Sequence, residues 1–179
     1  MRTLLILPGY STRNREWGEA AAEYFGKDFD QVVMHTYKHW ETGAEMDFDA
    51  EQVRITTELS DLSEQGALTV MAKSVGSLLA FLSVAKRVVV PERCVFFGIP
   101  FDLASTGVFA EDWSPVESFR VPSLAFHNEH DPTVSHDFAK EVVATKCPSI
   151  TFITTEGADH SYLEFSVYAE RIIPFLENK

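Results

Sequence analysis

The stretch whose reading decides the fold is Leu68-Thr-Val-Met-Ala-Lys-Ser-Val-Gly-Ser-Leu-Leu-Ala-Phe81. Ala67 to Ala72 is short and apolar and includes Thr69 and Val70, the composition of a buried strand. From Gly76 to Ala85 the chain is apolar almost all the way round, which predicts a helix buried on most sides. Ser74 therefore falls where a strand turns sharply into a helix. A serine at such a corner projects its hydroxyl above the sheet edge, and small neighbours let strand and helix approach closely. The N–H groups of the first helical turn, that of Val75 among them, point at any oxyanion formed nearby. A plain N-cap serine reads the same way at this level, so the rest of the chain has to separate the two.

Upstream, Thr3 to Leu7 reads as a buried strand ended by Pro8-Gly9. Asn14 is placed to cap a helix with Trp17, Ala21, Tyr24 and Phe25 on one face. Val32 to Tyr37 forms a second strand, and Phe48 to Leu62 a helix with Ile55, Leu59 and Leu62 on its inner face, ended by Gly66. Downstream, Cys94 to Phe97 and Ser123 to His127 are the fourth and fifth strands. Ser135 caps a helix carrying Phe138, Val142 and Val143. Ile150 to Thr154 alternates as a sixth strand at an edge. A last helix from about Tyr162 carries Phe165, Tyr168, Ala169, Ile172 and Leu176 in one stripe, with Pro174 expected to disturb its final turns. Strand and helix alternate from end to end, which predicts a single α/β domain over 1–179: a three-layer α/β/α sandwich on a mainly parallel sheet of about six strands.

The composition bounds the function. A chain of 179 residues is long enough to bury roughly 70% of its unfolded surface. Its formal net charge is −12, its pI about 4.8, and it has no basic cluster, which argues against nucleic acid or an anionic membrane as a partner. Neither Cys94 nor Cys147 belongs to a metal-ligand spacing, and Cys94 reads as a small buried hydrophobe. His127, His130, Asp131 and His136 invite a metal reading, but histidines three apart on an extended segment face opposite sides. No metal or cofactor is expected. Leu4 to Leu7 is too short for the apolar core of a signal peptide, so a cytoplasmic protein is the default expectation.

In a parallel sheet flanked by helices the site lies at the carboxyl ends of the strands. There the sequence delivers Gly9-Tyr10-Ser11, His35 and His39, Ser74, Asp102, His127 to Asp131, and Asp159-His160. A serine hydroxyl needs a base to take its proton, and the base needs a carboxylate to hold its tautomer and stabilise its cation. Ser74, His160 and Asp131 supply those roles from three strand ends, with Asp102 the competing acid.

These motifs resemble those of the α/β-hydrolase superfamily. Ala72-Lys73-Ser74-Val75-Gly76 is similar to its G-x-S-x-G nucleophile elbow, with alanine for the first glycine. Asn128-Glu-His-Asp131-Pro-Thr-Val134 resembles its acid loop and Gly157-Ala-Asp-His160-Ser its histidine loop, in the order Ser, Asp, His. Leu7-Pro-Gly-Tyr10 resembles its oxyanion loop, with proline where histidine is common. The resemblance spans Leu4 to Leu176. It implies a catalytic triad of Ser74, Asp131 and His160, and an oxyanion hole of the Tyr10 and Val75 backbone N–H groups. It also implies that Lys73 points away from the serine, toward the surface or a salt bridge at the strand end. Asp159 is expected to structure its loop.

Family members commonly insert a helical cap after the strand that follows the elbow helix. Between Phe97 and Val121 there are only about two dozen residues, too few for a cap domain. Trp17, Trp40, Phe101 and Trp113, with Tyr10 and Phe109, are candidates for an apolar substrate pocket, and plain core packing accounts for them equally well. The resemblance implies a serine hydrolase of carboxylesterase type acting on a small acyl ester or thioester. The alternative is a non-catalytic binding or interaction protein on the same fold, and oligomeric state is left open.

Overall fold

The computed structural model describes residues 1–86, 89–110 and 119–177. The described elements are β1 (Arg2–Leu7), α1 (Asn14–Phe25), β2 (Gln31–Met34), α2 (Lys38–Thr42), α3 (Phe48–Glu64), β3 (Ala67–Lys73), α4 (Val75–Ala85), β4 (Arg93–Phe97), β5 (Ser123–Asn128), α5 (His136–Lys146), β6 (Ile150–Thr155) and α6 (Phe165–Glu177). The strands form one sheet in the order β2-β1-β3-β4-β5-β6, and every pairing is parallel. β6 sits at an edge, as its alternation predicts, and half of its residues are only partly buried.

Side chains alternate across the central strands and build two cores. Leu5, Leu7, Val70, Ala72, Phe96 and Ala125 face α3, α4 and α5, where Ile55, Leu59, Ala139, Val142 and Val143 close against them. Leu4, Ile6, Met71, Val95, Phe97 and Phe126 face α1 and α6, packing on Trp17, Ala21, Phe25, Phe165, Tyr168 and Ile172. The three layers predicted from the alternation of elements are therefore present. All eleven residues of α4 are buried, as its all-round apolar sequence requires. Gly76 is where α4 meets β1: a Cβ there would lie 2.3 Å from the carbonyl oxygens of both Leu7 and Pro8.

Several local expectations shift. Asn14 opens α1 rather than capping it; Arg13 is the N-cap and makes no side-chain capping bond. Tyr24 is 43% exposed and Phe138 40%, because Trp17, Ala21 and Phe25 on α1, and Ala139, Val142 and Val143 on α5, already fill the buried stripes. α2 was not anticipated, being too short for a helical period to register. Tyr162 precedes α6 and has φ 50°, so that helix begins only at Phe165. α6 also runs through Pro174 to Glu177; Pro174 lies on its exposed side, where water can serve the carbonyl left without a donor.

Candidate active site

The sheet reverses its winding between β1 and β3, since β2 lies to one side of β1 and every later strand to the other. A crevice opens at the carboxyl ends of the strands on either side of such a switch point. Ser74 ends β3 there and the Gly9-Tyr10-Ser11 loop leaves β1 beside it. Ser74 has φ 54° and ψ −126°, a strained conformation for a residue with a side chain. The strain is held by a bond from its N–H to the Phe97 carbonyl at 2.8 Å and by the close seating of Gly76 under β1.

The loops after β5 and β6 bring two more groups to this corner. His160 Nε2 lies 2.8 Å from Ser74 Oγ, and His160 Nδ1 lies 2.7 Å from Asp131 Oδ2. The side chain of Asp131 is fully buried and that of His160 is 17% exposed. Burial opposes the charge on Asp131. Hydrogen bonds from His160, from the Tyr162 hydroxyl and from the Thr133 N–H outweigh it and hold the carboxyl below its usual range. An ionised Asp131 only accepts, so Nδ1 of His160 carries the proton and the lone pair of Nε2 faces the serine. That is the tautomer a general base requires. Asp102 lies exposed in a short 3-10 helix (Phe101–Thr106) and does not occupy Nδ1 of His160.

Tyr162 joins this constellation without a sequence signal, having been read as the start of a helix. Its hydroxyl donates to Asp131 Oδ2 at 2.7 Å and accepts from the Asn128 N–H at 3.1 Å. Burial, followed by the adjoining Asp131 charge, pushes the phenol well up and keeps it a neutral donor. Its carbonyl accepts from Trp17 Nε1 at 3.1 Å. Gly98, with φ 56°, leaves the space: a Cβ there would lie 3.0 Å from both His160 Cε1 and the Tyr162 ring. Asp159 is exposed and accepts from the N–H and hydroxyl of Ser161, shaping the histidine loop.

The oxyanion-loop candidates are held from several directions. Val75 is the first residue of α4, so its N–H has no partner within the helix. The Tyr10 carbonyl accepts from His39 Nε2 and Trp40 Nε1, both at 2.7 Å, and the Pro8 carbonyl accepts from the Tyr37 hydroxyl at 2.7 Å. His35 acts one step back: its ring nitrogens meet Glu58 at 2.7 Å and Glu51 at 3.2 Å, tying β2 to α3, and Arg54 also pairs with Glu51.

The aromatic candidates divide. Trp40 is at the site edge, but its indole holds the Tyr10 carbonyl. Trp17 is 1% exposed in the core between β4 and α6, and Phe101 is 1% exposed against Phe81, so both are core residues rather than pocket walls. Trp113 lies outside the described residues. His127 is buried against Phe152 with neither ring nitrogen bonded, and burial lowers its pKa. Lys73 is not at the surface: it is 5% exposed and its Nζ donates to Asn14 Oδ1 at 2.6 Å. Among the described residues no group of three or more His, Cys, Asp or Glu could hold a metal ion, and no helix is long and apolar enough to cross a membrane.

With its site at the switch point and its strained serine between β3 and α4, the chain has the α/β-hydrolase fold. An esterase of Pyrococcus furiosus superimposes with a TM-score of 0.76 over 98% of this chain and 80% of its own, at 16% identity. A lid-less α/β serine hydrolase of Xanthomonas campestris gives 0.72 over 99% and 84%, at 16% identity. The mouse α/β-hydrolase domain-containing protein 10 gives 0.74 over 98% and 90%, at 15% identity. No protein-family model and no curated protein matches the sequence.

Proposed function

We propose that the protein is a serine hydrolase, of carboxylesterase type, that cleaves a small acyl ester or thioester. The observation that carries this reading is the unbroken chain Ser74 Oγ, His160 Nε2, His160 Nδ1, Asp131 Oδ2, with links of 2.8 and 2.7 Å, reached from three separate loops. The names of the P. furiosus esterase and the lid-less X. campestris hydrolase support the same class.

In this mechanism Ser74 Oγ attacks the acyl carbon as Nε2 of His160 takes its proton, and Asp131 stabilises the imidazolium. The carbonyl oxygen takes the electron pair and is met by the N–H groups of Val75 and Tyr10. The tetrahedral adduct collapses, the bond to the leaving oxygen or sulfur breaks, and His160 returns the proton to it. Water then attacks the acyl-serine, giving its proton to His160, and the acid departs as Ser74 is reprotonated.

Labelling with a fluorophosphonate probe, followed by mass spectrometry of the modified peptide, tests the reading. A covalent adduct on Ser74 is the expected result. The absence of an adduct on folded protein would overturn it in favour of a binding protein built on the same fold.

A further inference from the structure

The mechanism leaves one buried charge unused. Lys73 directly precedes Ser74, and lysine is rarely so buried without a partner. It meets the amide of Asn14, whose two ends are in use. Oδ1 accepts from Lys73 Nζ at 2.6 Å, and Nδ2 donates to the Ser11 carbonyl at 3.2 Å. The amide also lies directly on the oxyanion loop, since a Cβ at Gly9 would sit 2.9 Å from Nδ2 and 3.0 Å from Cγ. An ammonium has donors and no acceptor, so it dictates which end of the amide faces it. The other end is thereby left as the donor that Ser11 needs.

We propose that Lys73 is a positioning residue that sets the oxyanion loop against the nucleophile by fixing the Asn14 amide. Tyr10 sits between the two loop residues that Asn14 touches, while His39 and Trp40 hold its carbonyl from the far side. The loop is clamped from α2 on one side and from β3 on the other. The β3 clamp is one peptide bond from Ser74, so nucleophile and oxyanion donor share one anchor. This inference rests on the hydrolase reading for its catalytic consequence.

Protonation of the anchor gives a signature. Burial lowers Lys73 from 10.5 to about 8, against the opposing pull of Asp131 on the acid loop and Asp159 on the histidine loop. α1 presents the uncharged Asn14 amide to it. Above about 8 the neutral amine is a weaker donor and carries a lone pair, so the amide is free to turn over. Activity then declines. The same deprotonation removes a buried charge that the unfolded chain would still carry, so stability rises between about 8 and 10.5. Activity and stability move in opposite directions over one interval.

The test compares wild type with Lys73→Met and Asn14→Asp, using p-nitrophenyl acetate as probe, with kcat, KM, thermal midpoint and amide exchange of residues 9–13. Lys73→Met keeps the volume and removes the charge, so it should hold or raise the midpoint while kcat falls about tenfold or more at little change in KM. Its alkaline decline should vanish. Asn14→Asp keeps a partner for Lys73 but cannot donate to Ser11, so it should lose kcat in the same way without losing stability. Amide exchange of residues 9–13 should quicken in both variants. Wild-type kcat in Lys73→Met, or a loss of kcat that tracks the midpoint, would overturn the inference. Were wild type itself inert to the ester and to the fluorophosphonate, the hydrolase reading would fall, and exchange would still decide the clamp: unchanged protection in Lys73→Met refutes it.

Discussion

Replacing Tyr162 by phenylalanine removes one oxygen that serves two buried partners, and its cost can be worked from the geometry. The Asn128 N–H loses its acceptor at 3.1 Å in a buried setting, which costs about 1–3 kcal/mol. Asp131 loses a short donor at 2.7 Å, but it keeps His160 and the Thr133 and Val134 N–H groups. Its share should therefore sit near the low end of the ~1.5–3 kcal/mol for a bond to a charged group. Together the loss is about 3 kcal/mol, or roughly 6–12 °C in thermal midpoint for a chain of this size. Tyr24→Phe, at an exposed position, should stay within about 0.5 kcal/mol.

The pH dependence separates the two contributions. The folded pKa of Asp131 is depressed, so its bonds stabilise above its ordinary value of 3.8 and that contribution is lost as pH falls through the lower folded value. The gap between wild type and Tyr162→Phe should therefore narrow below about pH 4, leaving the Asn128 part. Calorimetric midpoints from pH 7 down to pH 3 would measure this. A variant within 1 °C of wild type, or a gap that does not change with pH, would refute the assignment of the hydroxyl to Asp131.

Other outcomes can be checked alongside. Asp131→Asn should cut kcat/KM on p-nitrophenyl acetate by up to about 10⁴, because it offers His160 the wrong partner, whereas Asp102→Asn should change it little; the reverse ranking would move the acid to the earlier loop. Gly98→Ala forces a left-handed backbone on a residue with a Cβ and presses 3.0 Å from His160 and Tyr162. It should lower both stability and rate, and unchanged kinetics would show that the histidine loop is not held by this contact. His127 is buried with no bonded nitrogen and a lowered pKa, so it costs stability as pH falls below 6.5, where the unfolded chain takes the proton more readily. His127→Phe should flatten the acid side of the stability profile; an equally steep loss in urea titrations would place the titration elsewhere.

The alternation of β3, Ser74 and α4 was legible from sequence because strand and helix patterns are carried by near neighbours. The same holds for the parallel sheet, since apolar runs separated by helical stretches leave few other ways to bury them. The local contexts of Asp131 and His160 drew attention to both, but their meeting with Ser74, with serine and histidine 86 positions apart in the chain, is a product of the sheet order. What the pattern did not carry was facing. For Trp17 and Phe101, pocket wall and core packing were equally good readings, and the structure places both in the core; an aromatic run reads the same on either side of a strand end. Tyr162 looked helical and instead reaches Asp131 from a left-handed position. Lys73 looked like a surface charge or half of a strand-end salt bridge, and only the packing of α1 on β3 gives it the uncharged Asn14 amide as a partner, 59 positions away. Hydrophobic periodicity determined the layers, since it is local and additive; hydrogen-bond partners among buried polar groups were decided by which loops the finished sheet brings to one edge.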